Sequence, residues 1–87
     1  MFEVEFSSNS TKFLKKSDKV LAQRIVDKIE KLTEDPFPSE VKRIANRKEK
    51  IFRVRVGDYR IQYSVIYEKN LIFISDIEKR PRAYDNH

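Results

Sequence analysis

The sequence predicts an α+β fold. An N-terminal strand leads into an αα-hairpin and then a three-strand antiparallel meander (β-α-α-β-β-β), making a four-stranded sheet with both helices on one face. Three observations predict it. The opening "FEVEF" alternates apolar and acidic residues, residues 21 to 32 carry apolar side chains at helical spacing, and three strand-like runs after residue 50 have no crossover helix between them. A chain of 87 residues buries too little of its surface to support two cores, so residues 1–87 read as one domain.

In "FEVEF", Phe2, Val4 and Phe6 fall on one face and Glu3 and Glu5 on the other, which is a strand with one buried side. "SSNS" stops it, and Asn9 or Ser10 can cap a short helix to about Lys16 that turns Phe13 and Leu14 inward. Ser17 or Asp18 can cap the next helix, where Leu21, Ala22, Ile25, Val26, Ile29 and Leu32 form one stripe. "EDPFP" ends that helix, because a residue before proline is pushed out of the helical region and proline offers no N–H. The polar stretch "SEVKRIANRKEK" has Val41 and Ile44 as its anchors. Strands are expected at about Ile51 to Val56, Tyr59 to Tyr67 and Leu71 to Ile77.

Composition excludes several function classes. There is no cysteine, and the single histidine, His87, leaves no ligand cluster, so neither a metal site nor a cofactor is expected. No apolar run approaches the roughly 18 residues of a membrane span, and Met1 runs directly into a strand pattern rather than a signal peptide, so a cytosolic protein is expected. Charged residues at 38% with a single glycine lean toward an ion-pair-rich protein. The net charge of +5 is concentrated. Lys42, Arg43, Arg47, Lys48, Lys50, Arg53, Arg55 and Arg60 face only Glu49 and Asp58, a local +6, while the rest of the chain sums to −1. Such a footprint suits a polyanion such as nucleic acid, or is a solvated basic loop.

"FRVRVGDYRIQY" locates the charge. With Gly57 and Asp58 as a two-residue hairpin turn, Val56 faces Tyr59, Arg55 faces Arg60, Val54 faces Ile61, Arg53 faces Gln62 and Phe52 faces Tyr63. Alternation then puts Phe52, Val54, Val56, Tyr59, Ile61 and Tyr63 under the helices, and Arg53, Arg55, Arg60, Gln62 and Ser64 on the open face. Like charges opposite one another destabilise a sheet. The Arg55 and Arg60 pair is expected to have no carboxylate in register, so an external phosphate would relieve it; the competing reading is that Glu49, Asp76 or Glu78 swings over as a surface ion pair. "EKRPRAY" should emerge beside Arg60, bringing Arg80, Arg82 and Tyr84 to the same patch. "NLIFISDI" is apolar on both faces, so its register stays open.

"IFRVRVGDYRIQYSV", followed by an apolar strand and "KRPRAY", resembles the RelE/ParE toxin superfamily, as do the β-α-α-β-β-β order and the prolines after the second helix. The resemblance covers essentially the whole chain and leans to the RelE-like, archaeal-type branch. It implies a toxin of a type II toxin–antitoxin pair that enters the ribosomal A site and cuts mRNA by attack of the 2′-OH, with a RelB-like antitoxin as partner. The alternatives are a non-catalytic ParE-like gyrase inhibitor and a basic RNA-binding module. Arg53, Arg55, Arg60, Arg80 and Tyr84 fall where RelE-like nucleases carry functional residues. Of these, Arg55, Arg60 and Arg80 are candidates for stabilising the transition state and Tyr84 for stacking or proton donation, unless it only anchors the tail. Arg53, Gln62, Arg82, Lys42, Arg43, Arg47, Lys48 and Lys50 are candidates for RNA or ribosome binding. Some relatives carry lysine in place of Arg53 and Arg55, with one lysine as general base. Arginine stays protonated, so the base is unassigned.

Overall fold

The structure is a computed structural model that describes residues 1–43 and 50–80. β1 (Glu3–Phe6) is followed by α1 (Ser8–Lys16) and α2 (Lys19–Glu34). Then come a two-residue β2 (Lys42–Arg43), β3 (Phe52–Val56), β4 (Tyr59–Ile66), a single 3-10 turn at Tyr67–Lys69, and β5 (Leu71–Lys79). The α+β class holds, but the sheet has five strands in the order β1-β5-β4-β3-β2, not four. The extra strand is β2, which pairs along the outer edge of β3 (Lys42 with Arg53, Arg43 with Phe52). β1 joins β5 in parallel, and the rest of the sheet is antiparallel. The two helices carry the chain from the β1 edge to the opposite one.

α2 begins at Asp18, whose carboxylate accepts from Leu21 N at 2.8 Å. α1 starts earlier than Asn9 or Ser10 would set it. Its cap is Ser7, which accepts from Ser10 N at 3.1 Å. The choice is made by tertiary contact: Ser7 Oγ donates to Ser75 O at 2.8 Å and Ser10 Oγ to Ile74 O at 3.1 Å. Those carbonyls belong to a bulge in β5. Gln62 pairs with Asp76 and Tyr63 with Ile74, which leaves Ser75 as the extra residue. Its own hydroxyl donates to Gln62 O at 3.1 Å.

One core lies between the helices and the sheet. Ile25, Ile29 and Leu32 of α2 meet Val54, Val56, Ile61, Tyr63, Ile72, Ile74 and Ile77, all nearly inaccessible. The fully buried isoleucines each stabilise by roughly 1.5–3 kcal/mol on burial. Tyr63 is buried but keeps its hydroxyl satisfied on Pro36 O, and this ties the loop after α2 to the sheet. Burial, followed by the charges of Asp35 and Glu40, pushes the Tyr63 phenol well above its ordinary value. Among the described residues there are two ion pairs, Lys28–Glu40 and Arg60–Glu78, so the high charge content is not spent on an extensive ion-pair network there.

A candidate anion-binding site on the open sheet face

The site is built on the β3–β4 hairpin. Gly57 adopts φ 59°, the left-handed conformation that a two-residue turn of the primed type requires. A Cβ here would lie 2.9 Å from Arg24 Nη2, the end of an exposed side chain that can shift aside, so the positive φ is the larger barrier to any other residue. The pairing is the one the turn dictates: Arg55 opposite Arg60, Arg53 opposite Gln62, Val54 opposite Ile61. Val54 and Ile61 go under the helices, so Arg53, Arg55 and Arg60 stand on the helix-free face. Lys42 joins them because β2 sets it against Arg53. Arg80 is brought in by its backbone, whose N–H donates to Asp58 O of the turn at 2.8 Å.

Lys42, Arg53, Arg55, Arg60 and Arg80 together with Glu40 line a concavity of about 140 Å³. These five cations come from three separate stretches of the chain. Glu40 is engaged by Lys28 at 2.9 Å, and that hydrogen bond, with one from its own backbone, holds its carboxyl below the usual carboxylate value. Lys42, Arg53, Arg55 and Arg80 have no carboxylate partner among the described residues. Among the described residues, an anion would therefore meet four cations without a carboxylate partner and a fifth held from behind.

That fifth is Arg60, and it corrects the sequence reading. A carboxylate is in register: β5 sets Glu78 directly opposite Arg60. Arg60 Nε donates to Glu78 Oε2 at 2.7 Å, and Gln62 Nε2 donates to the same oxygen at 3.2 Å. The Arg55–Arg60 repulsion is thus partly relieved from within the sheet. Glu78 is one of the three carboxylates the competing reading named, but its place directly opposite Arg60 escaped the sequence, because the bulge at Ser75 changes which parity of β5 faces the helices. The usable signal was Ile77, which as partner of Ile61 on the core face forces Glu78 to the other side. Glu40 follows Pro38 in a loop, where no periodicity points to it.

Other sequence candidates are placed differently. Gln62 lies beside the cluster, on Glu78. Arg43 pairs with Phe52, on the opposite side of the strand from Lys42. Lys50 is exposed and does not line the concavity. Arg47, Lys48, Arg82 and Tyr84, with Ile44, Glu49 and His87, lie outside the described residues. No group of three or more potential metal-ligating side chains occurs among the described residues. No helix there is long and apolar enough to cross a membrane.

The family model for the ParE toxin of type II toxin–antitoxin systems (parDE) matches residues 4–84. The chain belongs to this toxin family. A relative from Methanocaldococcus jannaschii that carries the name toxin RelE1 is 34% identical over 88 residues, covering 98% of this chain and 97% of its own. The toxin fold is also similar to RelE in the archaeal RelE–RelB complex from Pyrococcus horikoshii, with TM-score 0.80, 27% identity, and 93% and 97% of the two chains covered. The isolated Escherichia coli RelE toxin superposes with TM-score 0.82 over 98% and 93% of the chains at 19% identity, a likeness of fold. The RelE/ParE resemblance read from the arginine hairpin therefore holds, and the protein is a RelE-like toxin of the type II class.

Proposed function

We propose that this toxin is an endoribonuclease of the RelE type that needs no metal and cuts mRNA in the ribosomal A site in the cytoplasm, silenced by a cognate RelB-like antitoxin. The observation that carries the reading is the convergence of Lys42, Arg53, Arg55, Arg60 and Arg80 on one concavity. The 34% identity to the M. jannaschii toxin RelE1 supports it. The antitoxin is supported by the RelE–RelB complex of P. horikoshii and the RelBE2 complex of Mycobacterium tuberculosis (TM-score 0.75, 22% identity, 91% and 98% of the two chains covered), in both of which such a toxin is held by its antitoxin.

The reaction such a cluster suits is attack of a ribose 2′-oxygen on the adjacent phosphorus. The P–O5′ bond breaks, leaving a 2′,3′-cyclic phosphate and a 5′-hydroxyl, and the proton lost from the 2′-OH balances the one gained by the leaving oxygen. Negative charge on the phosphoryl oxygens grows along the way. Guanidinium groups fixed beforehand stabilise that charge without reorganising at the moment of reaction. Arg55, Arg60 and Arg80 take this role, and Arg53 and Lys42 hold the strand. Tyr84 is the proposed stacking or proton-donating residue, and Arg82, Arg43, Arg47, Lys48 and Lys50 dock the RNA or ribosome. Arginine does not give up its proton, so it clamps phosphate and is no base. Glu40 is the one carboxylate among the lining side chains, but its bond to Lys28 holds its pKa down and makes it a weak proton acceptor, so the general base stays unassigned.

A second reading is kept because the matching family is named for ParE: inhibition of DNA gyrase through protein contact. Purified toxin assayed for mRNA cleavage with and without ribosomes, beside gyrase supercoiling, separates the two. Cleavage only on ribosomes supports the first. Growth arrest with intact mRNA and blocked supercoiling establishes the second.

A further inference from the structure

Glu78 is neither a lining residue nor part of the motif that marks the family, yet it makes the shortest polar contact in the cluster. Arg60 Nε lies 2.7 Å from Glu78 Oε2, within the range of a strong charge-assisted bond. The side chains are 22% and 33% exposed, so the pair is partly sheltered from water. Gln62 Nε2 donates to the same oxygen and fixes the carboxylate from a second direction. No other hydrogen bond from the Arg60 guanidinium is formed among the described residues. A guanidinium has two usable edges, and committing Nε leaves the edge formed by the two terminal nitrogens for an incoming anion.

The cross-strand order gives this a purpose. Arg60 stands between Arg55 on β3 and Glu78 on β5. Without Glu78, repulsion from Arg55 would leave a long side chain free to spread over several rotamers. With Glu78, the guanidinium is drawn to one place and one rotation. Supporting residues of this kind fix the reacting group at a geometry it would otherwise reach only part of the time.

We infer that Glu78 is a positioning residue that takes the Nε of Arg60 and so presents its two terminal nitrogens to a phosphate group. This rests on the nuclease reading for its consequence in catalysis, but the geometry can be tested without it. Electrostatics alone makes the opposite forecast. Removing a carboxylate beside five cations raises the attraction for RNA, so both E78A and E78Q would bind more tightly and cut at least as fast.

The test compares wild type, E78A and E78Q in single-turnover cleavage on ribosomes and in binding of a 2′-O-methylated RNA oligonucleotide that cannot be cut. Expected is a fall in cleavage rate for E78A of about 10- to 100-fold, by analogy with other supporting carboxylates, with oligonucleotide binding equal or tighter. E78Q, whose amide oxygen still accepts from Nε, loses several-fold less. In an R60A background E78A causes no further loss, which a general weakening of the sheet would not reproduce. A readout independent of cleavage is the Arg60 Nε–H resonance during titration with inorganic phosphate. It is a discrete, exchange-protected signal in wild type and E78Q, and it collapses into the averaged arginine envelope in E78A. Cleavage by E78A at or above the wild-type rate overturns the inference, and so does an Nε–H signal and phosphate titration unchanged by E78A. If the wild type cuts no RNA, the nuclease reading falls, and the resonance and phosphate titration decide the role of Glu78 alone.

Discussion

Replacing Arg60 by lysine separates charge from shape. Arginine reaches Glu78 through Nε and still has two nitrogens to offer a phosphate. Lysine ends in one ammonium, which can sit on Glu78 or on the phosphate but not in both places with arginine's geometry. Arg60→Lys therefore keeps the formal charge of the cluster and gives up about one charge-assisted hydrogen bond at the transition state. Such a bond contributes roughly 1.5–3 kcal/mol. At about 1.36 kcal/mol per tenfold in rate, the chemical step should slow by roughly 10- to 150-fold. Binding depends mainly on the number of cations and should change little. The assay is single-turnover cleavage of mRNA on programmed ribosomes with toxin in excess, beside equilibrium binding to the same ribosomes. An Arg60→Lys variant that cuts within a factor of two or so of wild type would refute the idea that the fork is used. If Arg80→Ala also cuts at the wild-type rate, the nuclease assignment goes with it.

Three further outcomes follow from the same geometry. Lys42 lines the concavity and Arg43 faces the other way, so Lys42→Ala should weaken RNA binding and lower the dependence of log K on log salt by about 0.7, the share of one contact to a single strand; Arg43→Ala should do less, and equal effects in a salt titration would contradict the placement. Tyr63 has its pKa raised in the fold, so above the unfolded value of about 10 the unfolded chain releases a proton that the folded one retains. Stability present below pH 10 is then lost as pH rises beyond it, and urea melts of Tyr63→Phe should show a weaker alkaline fall than wild type. Gly57→Ala should cost about 1 kcal/mol, because φ 59° disfavours a Cβ while the Arg24 guanidinium can move aside, whereas equal denaturation midpoints would show that the turn relaxes freely.

The hairpin was legible in the sequence down to each cross-strand pair. A two-residue turn fixes register, and alternation fixes the faces, so Gly57 and Asp58 determine where Arg53, Arg55 and Arg60 point. α2 was legible from its apolar stripe, and α1 from Phe13 and Leu14, though not its true cap. What stayed hidden depends on distant parts of the chain. Lys42 and Arg43 carry no strand pattern of their own and become a strand only by lying along β3. Ser7 outcompetes Asn9 as a helix cap because carbonyls at Ile74 and Ser75 need donors. β5 hides its register because Ile72, Ile74 and Ile77 all face the core, a spacing that simple alternation forbids and one extra residue permits. The arginines of the site could be read, but which of Glu49, Asp76 and Glu78 holds one of them could not.

The sheet order has a further consequence for how the chain is made. The first strand pairs with the last, and Ser7 meets Ser75 across 68 positions. Contacts this remote are reached only after a long loop has closed, which makes folding wait on chain length rather than proceed strand by strand. β5 also lies between β1 and β4, so a nascent chain without it has a gap within its sheet and no platform for Arg80. Protease resistance in a ribosome-bound chain stalled before Leu71 would speak against this. On this topology the order of synthesis delays the cation cluster: Lys42, Arg53, Arg55 and Arg60 are translated early, but Arg80 joins them only once the last strand, β5, has taken its place between β1 and β4.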